Sequence, residues 1–132
     1  MSGKYTIHNA SLEQFPATII DIFNLSVPYN IPPPISEVSA QFKSHGIKAV
    51  ILIVVDNLDL FQVTLNKPEA IIQNSDALVL LNTNNGYTQA VLNKLLFADS
   101  KDSGFHLIRH LNLNNKSSIY IAKPDEVEKF AG

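Results

Sequence analysis

Apolar and polar positions along the chain follow two different patterns. In the first, apolar side chains recur at helical spacing, which predicts helices over residues 11–25, 35–45 and 87–97. A proline followed by an acid predicts two further helix starts, at Pro68 and over Pro124–Phe130. The expected helices are therefore short and spread along the whole chain.

The second pattern is the short, unbroken apolar run. Residues 48–55 are almost entirely aliphatic, many of them β-branched, and show no polar alternation, which is typical of a strand buried on both faces of a parallel sheet. Residues 77–81 predict a second buried strand, and residues 118–122 predict a third. Residues 105–111 fit a short helix or a strand, and the prolines of residues 26–34 predict an extended connector.

The order of these segments indicates the fold class. Strands that alternate with helices require right-handed crossovers, and they predict an α/β fold with three layers (α/β/α) around a short, mainly parallel sheet. The chain length of 132 residues matches the size of one domain. We therefore expect residues 1–132 to form a single α/β domain.

Composition and charge exclude several classes of protein. The absence of cysteine excludes a disulfide scaffold and a cysteine-ligated zinc module. A net charge of −2 argues against a nucleic-acid partner, because such binding relies on clustered Lys and Arg. No apolar run is long enough to span a membrane, and residues 1–6 lack the apolar stretch of a signal peptide, so we expect a cytoplasmic protein with no membrane partner.

Two polar segments follow the first two predicted strands. Asp56 ends the first apolar run, and the loop of residues 82–86 follows the second. Because ligands gather beyond the carboxyl ends of parallel strands, we expect Asp56 and this loop to share one rim. The Asp56 carboxylate suits Mg²⁺ or Zn²⁺. Alternatively, Asp56 accepts hydrogen bonds from the backbone amides of its own turn.

The loop of residues 82–86, before the helix predicted over residues 87–97, is a candidate ligand site. Free backbone amides and the helix dipole at this position attract anions, so a phosphate-bearing small molecule is the expected ligand. In the alternative reading, an asparagine caps the helix and the glycine relieves a tight turn. The candidate binding residues are Thr83, Asn84, Asn85 and Gly86.

A pair of histidines offers a second place for chemistry. His106 and His110 would share one face of a helix, which permits joint metal binding. The metalloprotease pattern requires a glutamate directly after the first histidine, and Leu107 stands there instead. A partly exposed polar face is the alternative interpretation of this pair.

Residues 46–56 resemble the opening strand of the alkaline phosphatase superfamily, especially its type I phosphodiesterase and nucleotide pyrophosphatase branch. In that family the strand ends in an aspartate that binds a catalytic metal, a role that the resemblance gives to Asp56. Residues 83–97 are similar to the family's next landmark, a helix that begins at a Thr or Ser nucleophile, which implies Thr88 here. Residues 11–23 also resemble a recurring segment of the superfamily.

The resemblance implies a truncated or degenerate relative. Two-metal phosphoryl transfer needs ligands for both ions, and the family's second cluster of aspartate and histidine ligands has no counterpart after His110. We therefore expect a phosphodiesterase-like domain that is inactive alone and binds a phosphate-bearing ligand or a divalent cation. An active form would be a metal-dependent phosphoric ester hydrolase, with a second chain supplying the missing ligands.

A second hypothesis belongs to a different class of function. The high apolar content of so small a domain, including Phe61 and the proline-rich connector, suggests a protein-interaction or regulatory module. The edge of a small sheet, or a helical face, would then pair with an identical chain to form a homo-oligomer.

Overall fold

The sheet is formed by two strands that pair in parallel. The computed structural model describes residues 5–55, 60–99 and 104–131, and within them the sheet contains β1 (Tyr5–Ser11) and β2 (Ala77–Asn82). Tyr5 pairs with Ala77 and Ser11 with Asn82, and the register shifts near Asn9, whose φ of 66° is left-handed. The predicted strand over 77–81 is confirmed as β2, but its expected burial is wrong, because its residues are partly buried or exposed. Strand β1 was not predicted.

Helices make up most of the remaining regular structure. A 3₁₀ turn, Leu12–Gln14, leads directly into the first helix. The predictions over 11–25, 35–45 and 87–97 and the two proline-plus-acid starts are confirmed as helices. Of the two alternatives for residues 105–111, the helix is confirmed, and it begins at Leu107. The helices in the described ranges are α1 (Phe15–Ile22), α2 (Ser36–Lys43), α3 (Leu60–Asn66), α4 (Glu69–Gln73), α5 (Thr88–Phe97), α6 (Leu107–Leu113) and α7 (Pro124–Phe130).

Helix α1 lies at the centre of the core. The backbone amide of Ser11 donates to Gln14 Oε1 at 2.9 Å, which fixes the turn before the helix, and Pro16 is accommodated in the first helical turn. Ala17 and Ile20 have no exposed surface. The main apolar cluster joins α1 to the connector and to α6; its buried members are Ala17, Ile19, Ile20, Ile22, Ile31, Ala98, Phe105, Leu107 and Leu111.

A second, smaller cluster lies between α5 and α7. Phe130 is buried against Leu92 and Leu96, and Tyr120 packs on them from the extended segment before α7. Helix α5 therefore serves both clusters, since it also contacts α1 and the 3₁₀ turn. None of the helices in the described ranges is long and apolar enough to cross a membrane.

The prediction of a buried strand over 48–55 is wrong. These residues have no regular secondary structure, and every one of them is exposed. A strand buried on both faces needs a neighbouring strand and a helical layer on each side. In the described residues, β1 lies beside β2 instead, and the core forms around α1. The structure thus confirms an α/β fold, with a parallel sheet smaller than expected.

The predicted strand over 118–122 is also absent, because this segment has no strand neighbour in the described part of the chain. Its side chains nevertheless alternate as in a strand. Ser118, Tyr120 and Ala122 are partly buried, whereas Ile119 and Ile121 are about nine-tenths exposed, at 88% and 90%. One face of the segment covers the second cluster, and the other faces outward.

Candidate functional site

The carboxyl ends of the two strands meet at one edge of the sheet. Ser11, the last residue of β1, pairs with Asn82, the last residue of β2. From this edge one chain segment enters the 3₁₀ turn and α1, and the other enters the loop before α5. The predicted loop of residues 82–86 therefore begins at the carboxyl edge of a parallel sheet, but the strand beside it is β1 rather than residues 48–55.

The loop is organised by hydrogen bonds between near neighbours. Thr83 Oγ1 donates to the carbonyl oxygen of Asn85 at 2.9 Å, and Asn85 Oδ1 accepts from the amide of Tyr87 at 2.9 Å. Tyr87 is the N-cap of α5 and makes no side-chain cap. The expected capping by Asn84 or Asn85 is therefore wrong, because the Asn85 side chain closes the preceding turn instead.

Gly86 does not relieve a strained turn. The φ of Gly86 lies outside the left-handed region. In the described ranges, the glycines with a left-handed φ are Gly46 and Gly104. A Cβ at position 86 would meet no atom within 4 Å. Neither backbone geometry nor packing requires glycine there, so its main effect is to leave the neighbouring backbone uncovered.

The candidate binding residues form a solvent-facing strip. Thr83, Asn84, Asn85 and Gly86 are exposed, as is Thr88, the first residue of α5. Amides at the start of a helix attract anions, so the strip is chemically suited to a phosphate group. The residues of the strip are accessible to solvent.

Asp56, the predicted metal ligand, lies outside the described residues. The segment that precedes it is separate from the sheet, so its expected position beside the 83–86 loop stays a prediction. Within the described ranges, His, Asp and Glu side chains nowhere gather in a group of three or more that could hold a metal ion.

Beneath this edge, a buried ion pair joins the two helices that begin there. Lys94 of α5 is 5% exposed, and its Nζ donates to Glu13 Oε1 in the 3₁₀ turn. Burial of Glu13 opposes ionisation, but the hydrogen bonds from Lys94 and from its own backbone amide, together with the charge of Lys94, hold the pKa of Glu13 below its usual 4.5.

Sequence reasoning missed this pair because the partners stand 81 positions apart. A local signal did exist, since Lys94 falls among the apolar residues Leu92, Leu95 and Leu96, all of which are buried. A lysine in such a setting requires an acidic partner. The sequence alone gave no means of choosing Glu13 over the other acids.

His106 has a structural role. It is 3% exposed, and its Nε2 lies 2.8 Å from the carbonyl oxygen of Phe130, while the amide of Arg109 donates to its Nδ1 at 3.4 Å. Because a backbone amide can only donate, Nδ1 accepts and Nε2 carries the proton that it donates. His106 therefore caps α6 and ties it to the end of α7.

The two histidines do not form a joint site. Both ring nitrogens of His106 are engaged, and its burial contradicts the expected exposed polar face. His110 is partly buried, and its Nε2 is a buried atom without a hydrogen-bond partner among the described residues. The Phe97 ring lies edge-on to the His106 ring, with 4.7 Å between the ring centroids, and this contact further fixes the His106 side chain.

The most prominent surface feature is apolar. Six consecutive residues, 50 to 55, are between 39% and 84% exposed, with Ile51 at 84% and Ile53 at 76%. Elsewhere, an open groove of about 250 Å³ runs between α6 and the end of α7, beside Arg109 and Ala131. The apolar run exceeds the scattered exposure that a monomer normally shows.

Comparison of the chain with protein-family models, with curated proteins and with solved structures gave no match.

Proposed function

We propose that this chain is a protein-interaction module that self-associates through the segment 49–55. The observation that carries the proposal is the exposure of six consecutive aliphatic residues in that segment. Apolar surface left in water is unfavourable by roughly 25 cal/mol per Å², so a partner that covers this run gains free energy. The function of the chain would then be the association that this segment mediates.

Backbone chemistry supports the same proposal. Residues 47–55 form neither helix nor strand, so their amides and carbonyls lack the regular ladder that a neighbouring strand supplies. The residues themselves are Val, Ile and Leu, which favour strands. A strand from another chain would satisfy the backbone groups and cover the side chains in one step.

An identical chain suits this segment well. A net charge of −2 leaves little repulsion between copies, and residues 49–55 carry no charge at all. The expected third layer of the α/β/α arrangement is part of this proposal, since strands contributed by two copies would give helices on both sides a sheet to cover.

Sedimentation equilibrium of the full chain at micromolar concentrations tests the proposal. We expect a reversible dimer in which Ile53→Lys weakens association roughly tenfold or more, because a buried isoleucine contributes about 1.5–3 kcal/mol. Ile119→Lys is the matched control, since Ile119 is at least as exposed and also lies outside the helices and strands. A wild-type monomer throughout this range would contradict the proposal.

A second candidate function rests on the exposed strip of residues 83–88. Its position at the carboxyl edge of the sheet, with the amides of α5 accessible, favours a phosphate-bearing small molecule. In the phosphodiesterase-like version that the family resemblance implies, Asp56 would bind a divalent cation and Thr88 would be the nucleophile. The chain alone would then bind its ligand with little turnover.

Thermal shift measurements distinguish this second candidate. Inorganic phosphate together with Mg²⁺, Mn²⁺ or Zn²⁺ should raise the melting temperature by an amount that grows with the logarithm of the ratio of its concentration to the dissociation constant. Asp56→Ala should abolish the cation-dependent shift, whereas Asp76→Ala, which removes an exposed acid elsewhere, should preserve it. A shift that Asp56→Ala leaves unchanged would remove Asp56 from the site.

A further inference from the structure

We infer that two copies pair through residues 49–55 as antiparallel strands centred on Leu52. This inference rests on the proposed self-association and adds to it the direction and register of the contact. Three observations carry it: the geometry of the segment, the chemistry at its two ends, and its area.

The exposures along the segment alternate as they do in a strand. Ile51, Ile53 and Val55 are more exposed than the residues that alternate with them, at 84%, 76% and 56% against 39% for Val50, 45% for Leu52 and 49% for Val54. This period of two belongs to extended backbone, in which successive side chains point to opposite faces. The alternation therefore favours pairing of the segment as a strand.

The two ends of the segment are oppositely charged. Lys48 precedes the run, and Asp56, whose own placement lies outside the described residues, follows it in the sequence. An antiparallel pair centred on Leu52 sets each Lys48 opposite Asp56 of the other copy. Parallel pairing in register would instead place lysine against lysine and aspartate against aspartate, which is unfavourable.

The same register aligns apolar side chains throughout the run. It places Ile51 opposite Ile53 and Val50 opposite Val54, and it brings the two Leu52 side chains together. Cross-strand pairs of aliphatic and β-branched residues stabilise antiparallel sheets. A shift by two residues in either direction would set a charged end against an aliphatic side chain.

The exposed area is large for a single segment of a monomer. Six aliphatic side chains at these exposures present several hundred Å², at or above the roughly 300–600 Å² of the largest patch on an ordinary monomer. A standard interface takes roughly 800 Å² from each partner, and cross-strand pairing of the run would contribute part of that area. Backbone hydrogen bonds between the two strands would add direction and specificity.

Disulfide scanning of the full chain tests this register directly, because the protein has no cysteine of its own. Directly opposite residues in an antiparallel pair have Cα atoms about 4.5–5.5 Å apart, within the range that a disulfide spans. Leu52→Cys should therefore cross-link efficiently with itself under mild oxidation. Ile51→Cys and Ile53→Cys should cross-link poorly alone and efficiently when the two variants are mixed.

The possible outcomes separate the inference from the proposal beneath it. Equal self-cross-linking at positions 51, 52 and 53 would indicate parallel pairing and overturn the inference. A dimer by sedimentation with no cross-link at any of these positions would place the contact elsewhere, for instance on the open edge of the other copy's sheet, and would also overturn it. Absence of a dimer would overturn both. Ile119→Cys is the control for random collision, and it should form no disulfide cross-link.

Discussion

Helix α1 and the segment 49–55 have similar composition and opposite surroundings. Both are short and rich in isoleucine, yet Ile20 is fully buried in α1 and Ile51 is 84% exposed. A helix satisfies its own backbone hydrogen bonds, so α1 needed only apolar neighbours to pack against. An extended segment must find its backbone partners in another strand, and none lies beside residues 49–55 in the described part of the chain.

This difference shows that apolar content alone does not decide burial. Side chains of the connector and of α6 pack against α1 in the main cluster, and α5 also contacts α1. In the proposed self-association, a second copy of the chain supplies the strand that residues 49–55 lack in the described part of the chain.

The largest expected difference in the free energy of unfolding comes from truncating one isoleucine in α1 and one in the segment 49–55. Ile20→Ala removes a fully buried side chain and should lower the free energy of unfolding by about 2–5 kcal/mol. Ile53→Ala should change it by at most about 0.5 kcal/mol in the monomer. Chemical denaturation at low protein concentration measures both, and equal losses would mean that Ile53 is covered within its own chain.

A smaller loss in the free energy of unfolding is expected when the Glu13–Lys94 ion pair is broken. Glu13→Gln leaves Lys94 buried beside a neutral partner, and it should lower the free energy of unfolding by about 2 kcal/mol at neutral pH. Lys94→Met should cost less, since it removes the buried charge as well. An unchanged stability in Glu13→Gln would show that the pair does not hold the two helices together.

The pH dependence of that loss follows from the pKa of Glu13. Because folding lowers this pKa, the ion pair stabilises the fold above about pH 4.5, and the stabilisation is lost as pH falls through the lowered value. The difference between wild type and Glu13→Gln should therefore shrink below pH 4.5. A difference that stays constant between pH 7 and pH 3 would contradict the assignment.

The smallest of these effects concerns the tie between α6 and α7. His106→Ala removes the helix cap and the hydrogen bond to Phe130, and it should cost about 1–2 kcal/mol. His106→Asn retains a side-chain acceptor for the cap and should recover part of that loss. Equal stability of the Ala and Asn variants would show that the cap contributes nothing, so that any loss comes from the bond to Phe130.

The features predicted correctly from the sequence were those set by near neighbours. Proline followed by an acid placed α7, and helical spacing placed α2 and α5, because these signals act within a few residues. The loop at residues 82–86 was likewise placed at the end of a strand. Its internal hydrogen bonds were not foreseen, since Asn85 had several local partners available.

The features that sequence reasoning missed depend on distant partners. Residues 48–55 have the composition of a buried strand, but composition does not specify which segment pairs with β2, and β1 from the N-terminal region took that place. The Glu13–Lys94 pair and the contact of His106 with Phe130 were not predicted, for the same reason. In each case the missing information was which segments meet.

Amide hydrogen exchange at two protein concentrations tests the central claim most directly. If the segment 49–55 pairs between copies, its amides should be protected at concentrations that favour the dimer and should exchange rapidly on dilution, while those of α1 stay protected at both. Protection of residues 49–55 that does not change on dilution would mean that the run is covered by its own chain. That result, or rapid exchange at both concentrations, would contradict the account.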